Sequence, residues 1–81
     1  MKPSEFIGDE VRYDRDGQIF WGVKNENQLQ MIAELRGWGA IQNIFKEKGT
    51  INGEKAAMFQ DEVGEWIARA INEKLERERK V

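Results

Sequence analysis

From Asn52 onward the apolar residues Ala56, Phe59, Val63, Trp66, Ile67, Ala70, Ile71 and Leu75 recur at spacings of three and four, which is the pattern of a helix with one buried stripe. Asn52 can cap that helix by taking a free first-turn N–H on its side-chain oxygen, and Glu54 suits the positive end of the dipole. The spacing predicts a single amphipathic helix over about residues 53–79. In a chain of 81 residues it takes roughly a third of the length, so the rest must form the surface that covers its stripe. Gly64 lies beside the stripe, and the cost of glycine in a helix, about 1 kcal/mol relative to alanine, is explained if the helix closely approaches what it packs on. Beyond Leu75 the run Glu76-Arg77-Glu78-Arg79-Lys80 is all charge. It reads as a solvated helix end whose basic residues suit the C-terminal dipole, the other reading being an electrostatic handle for a partner.

The N-terminal half reads as a sheet. Val11-Arg12-Tyr13, then Asp14-Arg15-Asp16-Gly17, then Gln18 to Val23 is strand, turn, strand. A two-residue Asp16-Gly17 loop sets Tyr13 opposite Phe20 and mixes the apolar faces. A three-residue loop with Gly17 in the left-handed conformation pairs Tyr13 with Ile19 and Val11 with Trp21, and is the register expected here. The next segment fits two periods: Leu29, Ile32, Leu35 and Trp38 make a helical stripe, whereas Leu29, Met31, Ala33 and Leu35 alternate as a strand. Gly37 and Gly39 favour the strand, and an Asn25-Glu26-Asn27 loop with Asn27 left-handed pairs Val23 with Leu29, Trp21 with Met31 and Ile19 with Ala33.

The expected fold is therefore α+β: a three-stranded antiparallel meander, about residues 9–14, 18–24 and 28–37, packed on the C-terminal helix. The alternative is an N-terminal hairpin followed by an αα-hairpin. Residues Gly39 to Phe45 extend the bent strand or form a short turn, and the pattern does not choose between them. The chain is one domain, with about residues 1–6 and 77–81 frayed. In the expected register Phe20 stands opposite Ile32 on the face the helix does not cover, near Arg12. These are either scattered surface apolar residues or a dimer or partner surface.

Composition narrows the chemistry. The chain has neither cysteine nor histidine, which removes the usual transition-metal ligands, the thiol nucleophile and the commonest general base. No metal or cofactor is expected, and the chain is not read as an enzyme. A net charge of −2 argues against a nucleic-acid binder that neutralises many phosphates. The start Met1-Lys2-Pro3-Ser4-Glu5 lacks a signal-peptide pattern, and no apolar run approaches the ~18 residues of a membrane span. A domain this small buries only about 60% of its unfolded surface, so self-association is expected. Asp61 and Glu65, one helical turn apart, specify no catalysis; Asp14 to Gly17 lacks the further ligands of a calcium loop; and Gly37-Trp38-Gly39 lacks the Gly-Lys-Ser/Thr of a phosphate loop.

The most distinctive segment is Arg36-Gly37-Trp38-Gly39. A guanidinium beside an indole on a glycine-flanked bend suits stacking on a flat ring and pairing with a phosphate or carboxylate. Core packing of Trp38 is the competing explanation.

Ile32-Ala33-Glu34-Leu35-Arg36-Gly37-Trp38-Gly39-Ala40-Ile41-Gln42, followed by Phe59-Gln60-Asp61 and Ile67-Ala68-Arg69-Ala70, resembles a group of short phage and prophage proteins. In that group an Ile-Ala-x-Val-Arg-Gly-Trp-Gly-x-Leu-Gln segment precedes a Gln-Asp helix carrying Leu-Ile-Ala. Here Leu35 and Ile41 are conservative departures, and Trp66 replaces an aliphatic residue. The resemblance implies the cytoplasm of an infected or lysogenic bacterial host. It makes a stoichiometric accessory role, anti-defence included, the leading expectation: a homo-oligomer binding a host protein through Phe20, Ile32 and Arg12. The second expectation is sequestration of a nucleotide signal by Arg36 and Trp38, with Gln42 in the same segment. A structural or assembly component is the third.

Overall fold

The protein was described from a computed structural model, which describes residues 1–25 and 28–80. The fold is α+β: strands β1 (Glu10–Asp14), β2 (Ile19–Asn25) and β3 (Gln28–Glu34) form an antiparallel sheet in the order β1-β2-β3, packed against the long helix α3 (Gly53–Arg79). Three smaller pieces complete it, namely α1 (Pro3–Ile7), α2 (Trp38–Ile44) and the hairpin β4 (Lys46–Glu47) and β5 (Thr50–Ile51).

Helix α3 begins where its residues predict. The Asn52 side chain accepts the Lys55 N–H at 3.1 Å, which satisfies one of the orphan first-turn donors. Ala56, Gln60, Gly64, Ala68 and Leu75 are its buried residues, four of them at four-residue spacing, so one narrow stripe of mostly small side chains faces the sheet. A Cβ on Gly64 would overlap the Tyr13 ring; the glycine exists because an aromatic side chain from β1 occupies the space above it. The charged end stays helical to Arg79, supported by exposed i,i+4 pairs Lys74–Glu78 and Lys80–Glu76.

The register of β1 on β2 differs from the expected one. Tyr13 pairs with Phe20, Val11 with Gly22 and Arg12 with Trp21. The left-handed turn residue is Gln18, with φ 52°, instead of Gly17. The β2 sequence Ile19-Phe20-Trp21-Gly22-Val23 is apolar on both faces, so its own alternation does not choose which face goes inward. The tertiary contacts choose. Phe20 stacks on Tyr13 with ring centroids 5.1 Å apart, and Gly22 leaves room for the Ile7 carbonyl, which a Cβ would strike.

Between β2 and β3 the pairs Val23 with Leu29 and Trp21 with Met31 are as expected. A bulge then shifts the ladder, pairing Phe20 with Ala33 and Ile19 with Glu34. The expected Ile19–Ala33 pair does not form, because Ile32 is the extra residue and turns toward the helix. The Asn27 turn expectation falls outside the described residues. β3 ends at Glu34, short of residue 37, and Trp38–Ile44 is helix with Gly37 at its N-cap position. The undecided stretch after Gly39 is thus helical, and its Ile41 is buried. In the following hairpin Lys48 and Gly49 both have positive φ, 51° and 83°, as a two-residue primed turn requires.

Segment α1 is hydrogen-bonded to the sheet. Pro3 starts a short helix, Gly8 returns its N–H to Ser4, Asp9 donates to the Val23 carbonyl at 2.8 Å, and the Gln30 amide donates to the Phe6 carbonyl. These bonds fasten α1 across the far end of β2 and β3. The core beneath α3 consists of Val11, Tyr13, Phe20, Ala68 and Leu75, with Ile7, Ile32, Leu35, Ile67 and Ile71 half-buried around it. No helix among the described residues is long and apolar enough to cross a membrane.

Candidate functional site

Two surfaces concentrate unusual residues. The first is the sheet face turned away from α3. Because Val11, Tyr13 and Phe20 belong to the core beneath α3, the alternate positions lie on the other face: Arg12, Trp21 and Met31 form one cross-strand row, and Glu10, Val23 and Leu29 the next, where Val23 itself is buried at 4% exposure. Leu29 and Met31 are each 54% exposed, and Trp21 and Ile19 are half-buried. Arg12 holds Glu10 at 2.7 Å, which sets an ion pair at the β1 margin of an apolar strip.

The expected occupants of this face are corrected accordingly. Phe20 is 4% exposed and lies in the core, and Ile32 packs against it. Of the three residues expected there, Arg12 alone stands on the open face. An open face does exist, but it is built from the other set of alternating residues.

The two edges of the sheet are treated differently. On β1 the backbone N–H and carbonyl of Val11 point away from β2, and both are taken by Asn72 of α3: its Oδ1 accepts the Val11 N–H at 2.6 Å and its Nδ2 donates to the Val11 carbonyl at 2.9 Å. A helix side chain here does the work of a neighbouring strand. No comparable clamp on the outer side of β3 is seen among the described residues.

The second surface is a cleft of about 680 Å³ at the opposite end of the helix side, between the end of β3, the start of α2 and the N-terminal half of α3. Arg36 and Trp38 both line it, so the structure brings together two of the three residues expected to bind there. Gln42 is half-buried on α2 and lies outside it. Trp38 is 40% exposed; it is a wall of the cleft and not a core residue. Arg36 is held by Glu34 at 2.8 Å and remains largely exposed. Across the cleft Arg15 meets Glu65 at 3.3 Å.

Gln60 and Asp61 complete the lining from α3. Gln60 is 4% exposed, and its Oε1 is buried without a hydrogen-bond partner. Leaving such an acceptor unsatisfied costs about 1–3 kcal/mol. Asp61 accepts a long bond from the Tyr13 hydroxyl, at 3.5 Å. Burial raises the Tyr13 pKa above its ordinary value, and the neighbouring Asp61 and Glu65 charges push the same way while Arg15 opposes them. Tyr13 therefore stays a neutral donor.

Gln60 and Asp61 carried no role in the sequence reading beyond the phage-like motif. A signal was present: glutamine occupies a helix position, four residues from Ala56 and from Gly64, where the stripe demands an apolar side chain. No group of three metal-ligating side chains occurs among the described residues.

No protein family matches this chain, and neither does any curated protein or solved structure.

Proposed function

We propose that this chain is a non-enzymatic binding protein that acts stoichiometrically, docking its open sheet face on another protein. The observation that carries this reading is the apolar strip of Trp21, Leu29 and Met31 on that face, with two side chains more than half exposed. A free-standing domain gains by covering such a strip, at ~25 cal/mol per Å² of apolar surface removed from water. Aromatic and methionine side chains are also the types enriched at interface centres. The absence of histidine and cysteine supports a role that needs no chemistry. The phage or prophage setting, and with it a host protein as the partner, rests on the resemblance of the Ile32 to Gln42 segment.

The test is native mass spectrometry of the protein recovered gently from its host cell, beside a Leu29→Glu/Met31→Glu double variant. Both substitutions fall on exposed positions and should leave the circular dichroism unchanged. The expected result is a protein retained by the natural chain in fixed ratio and lost by the variant. Equal retention by both would show that the open face is not the docking surface.

A further inference from the structure

The apolar pattern of α3 is wider than the stripe it buries. Ala56, Gln60, Gly64, Ala68 and Leu75 are its buried residues, whereas Phe59, Trp66 and Ala70 are exposed, Trp66 at 67%, and Val63 is half-buried. Residues 59, 63, 66 and 70 follow one another at spacings of four, three and four, which is the seam spacing of a coiled coil. They form one row, about 130° round the helix from Gly64. Phe45, which caps α2, packs on Phe59 with ring centroids 5.7 Å apart and fixes one end of the row. Single exposed apolar residues are ordinary on a surface, but a row at this spacing has the form of an unfilled helix–helix contact.

Two properties of the row say what covers it. The first is size. In an antiparallel pairing of α3 with a second copy, Phe59 lies opposite the partner's Ala70 and Val63 opposite the partner's Trp66, so every layer sets a large side chain against a smaller one. A parallel pairing would crowd two Trp66 rings together and leave Ala70 facing Ala70. The second is charge. Lys55, Glu62, Arg69 and Glu76 flank the row on its solvent side at seven-residue intervals, and their signs alternate. Antiparallel packing puts Glu62 beside the partner's Arg69 and Lys55 beside the partner's Glu76, and two-fold symmetry repeats each pair. Parallel packing instead brings Arg69 to the partner's Lys74. Lys55, Glu62 and Arg69 form no ion pair of their own among the described residues.

We propose that α3 pairs antiparallel with α3 of a second copy of this chain through Phe59, Val63, Trp66 and Ala70, with Glu62–Arg69 and Lys55–Glu76 ion pairs along the outer margin. The surface is sufficient. The chain exposes 6203 Å², on the order of 1,000 Å² more than a folded monomer of its mass, and one partner of a standard interface buries about 800 Å². The open sheet face lies on the far side of the sheet from α3, so the dimer carries two such faces and covers neither. This inference does not depend on what those faces bind.

The experiment is sedimentation velocity of the full chain over a range of protein concentrations, with variants at exposed positions. The natural chain should sediment as a monomer–dimer equilibrium. Trp66→Glu should stay monomeric with unchanged circular dichroism, whereas Leu29→Glu/Met31→Glu should dimerise like the natural chain. Glu62→Arg, which turns both Glu62–Arg69 pairs into repulsions, should weaken the dimer about tenfold. Glu62→Arg/Arg69→Glu should restore it, because the reversed pair is complementary again. That rescue reads orientation, since a parallel dimer has no contact between these two positions. The proposal is overturned by a natural chain that is monomeric at millimolar concentration, by a dimer that survives Trp66→Glu, or by a double reversal that fails to restore what Glu62→Arg removes. A dimer lost in Leu29→Glu/Met31→Glu would overturn it as well, by placing the contact on the sheet face.

Discussion

Gly64 and Tyr13 show how much one contact governs. Helix propensity alone says that Gly64→Ala should stabilise α3 by about 1 kcal/mol. The Tyr13 ring occupies the place of the new methyl group, and overpacking of this kind typically costs about 1–3 kcal/mol. Gly64→Ala is therefore expected to lower the urea midpoint, the reverse of the propensity expectation. Tyr13 also ties stability to alkaline pH. Its folded-state pKa lies above the ordinary 10.0 because burial, then the Asp61 charge, disfavour the tyrosinate. The folded state thus holds its proton more tightly than the unfolded chain. That contribution is complete below the unfolded value and is lost as the pH rises through the folded one. Urea midpoints from pH 8 to 11 should fall, and Tyr13→Phe should make the decline shallower; an unchanged slope would remove Tyr13 as its cause.

At the scale of elements, the α3–β1 seam is held by polar geometry as much as by apolar packing. Asn72 meets both outward groups of Val11, so Asn72→Ala leaves a part-buried N–H and carbonyl without partners. The expected loss is about 2 kcal/mol or more. Amide exchange at Val11 should accelerate more than at β2, and uniform acceleration across the sheet would mean that Asn72 does not act as a local clamp. This element was half legible in the sequence. The period and cap of α3 could be read from its residues but its buried side could not, since Trp66 is 67% and Phe59 36% exposed while Gln60, Gly64 and Ala68 are buried, and Asn72 carried no mark of its role. Its partner is a backbone group 61 residues away, and no side-chain pattern reports the direction of a backbone N–H. The bulge that turns Ile32 inward escaped for a related reason: β2 is apolar on both faces, and the alternation of Leu29, Met31 and Ala33 in β3 marks the face that the structure leaves outside.

The whole molecule is more extended than its length requires. Its Cα radius of gyration is 15.2 Å, with extents of 51 × 25 × 18 Å, against about 12 Å for a compact chain of this size. It exposes 6203 Å², where a folded monomer of 9.5 kDa is expected to expose about 5,000 Å². The long helix, overhanging a short sheet, is the cause. The difference, on the order of 1,000 Å², is comparable to what one partner buries in a standard protein interface. The isolated chain should therefore gain stability when its surface is covered, and its melting temperature should rise with protein concentration or with an added partner. A melting temperature independent of both, together with a small-angle scattering radius that matches the single chain, would mark it as a self-sufficient monomer.

The residues by themselves determined the α+β class and the bounds and cap of α3, and they favoured a third strand over a helix without deciding it. Each is a local matter of periodicity, capping or glycine geometry. Tertiary structure alone decided which face of β2 turned inward, that Phe20 and Ile32 joined the core, and that Trp21, Leu29 and Met31 were left outside. It also decided that Gln60 and Asp61 met Trp38 across a cleft. The physical reason is common to all of these. A strand apolar on both faces has two nearly equivalent ways to pack, and the choice falls to the fit of the Tyr13 ring over Gly64, of α1 against Gly22 and of Asn72 on the edge of β1.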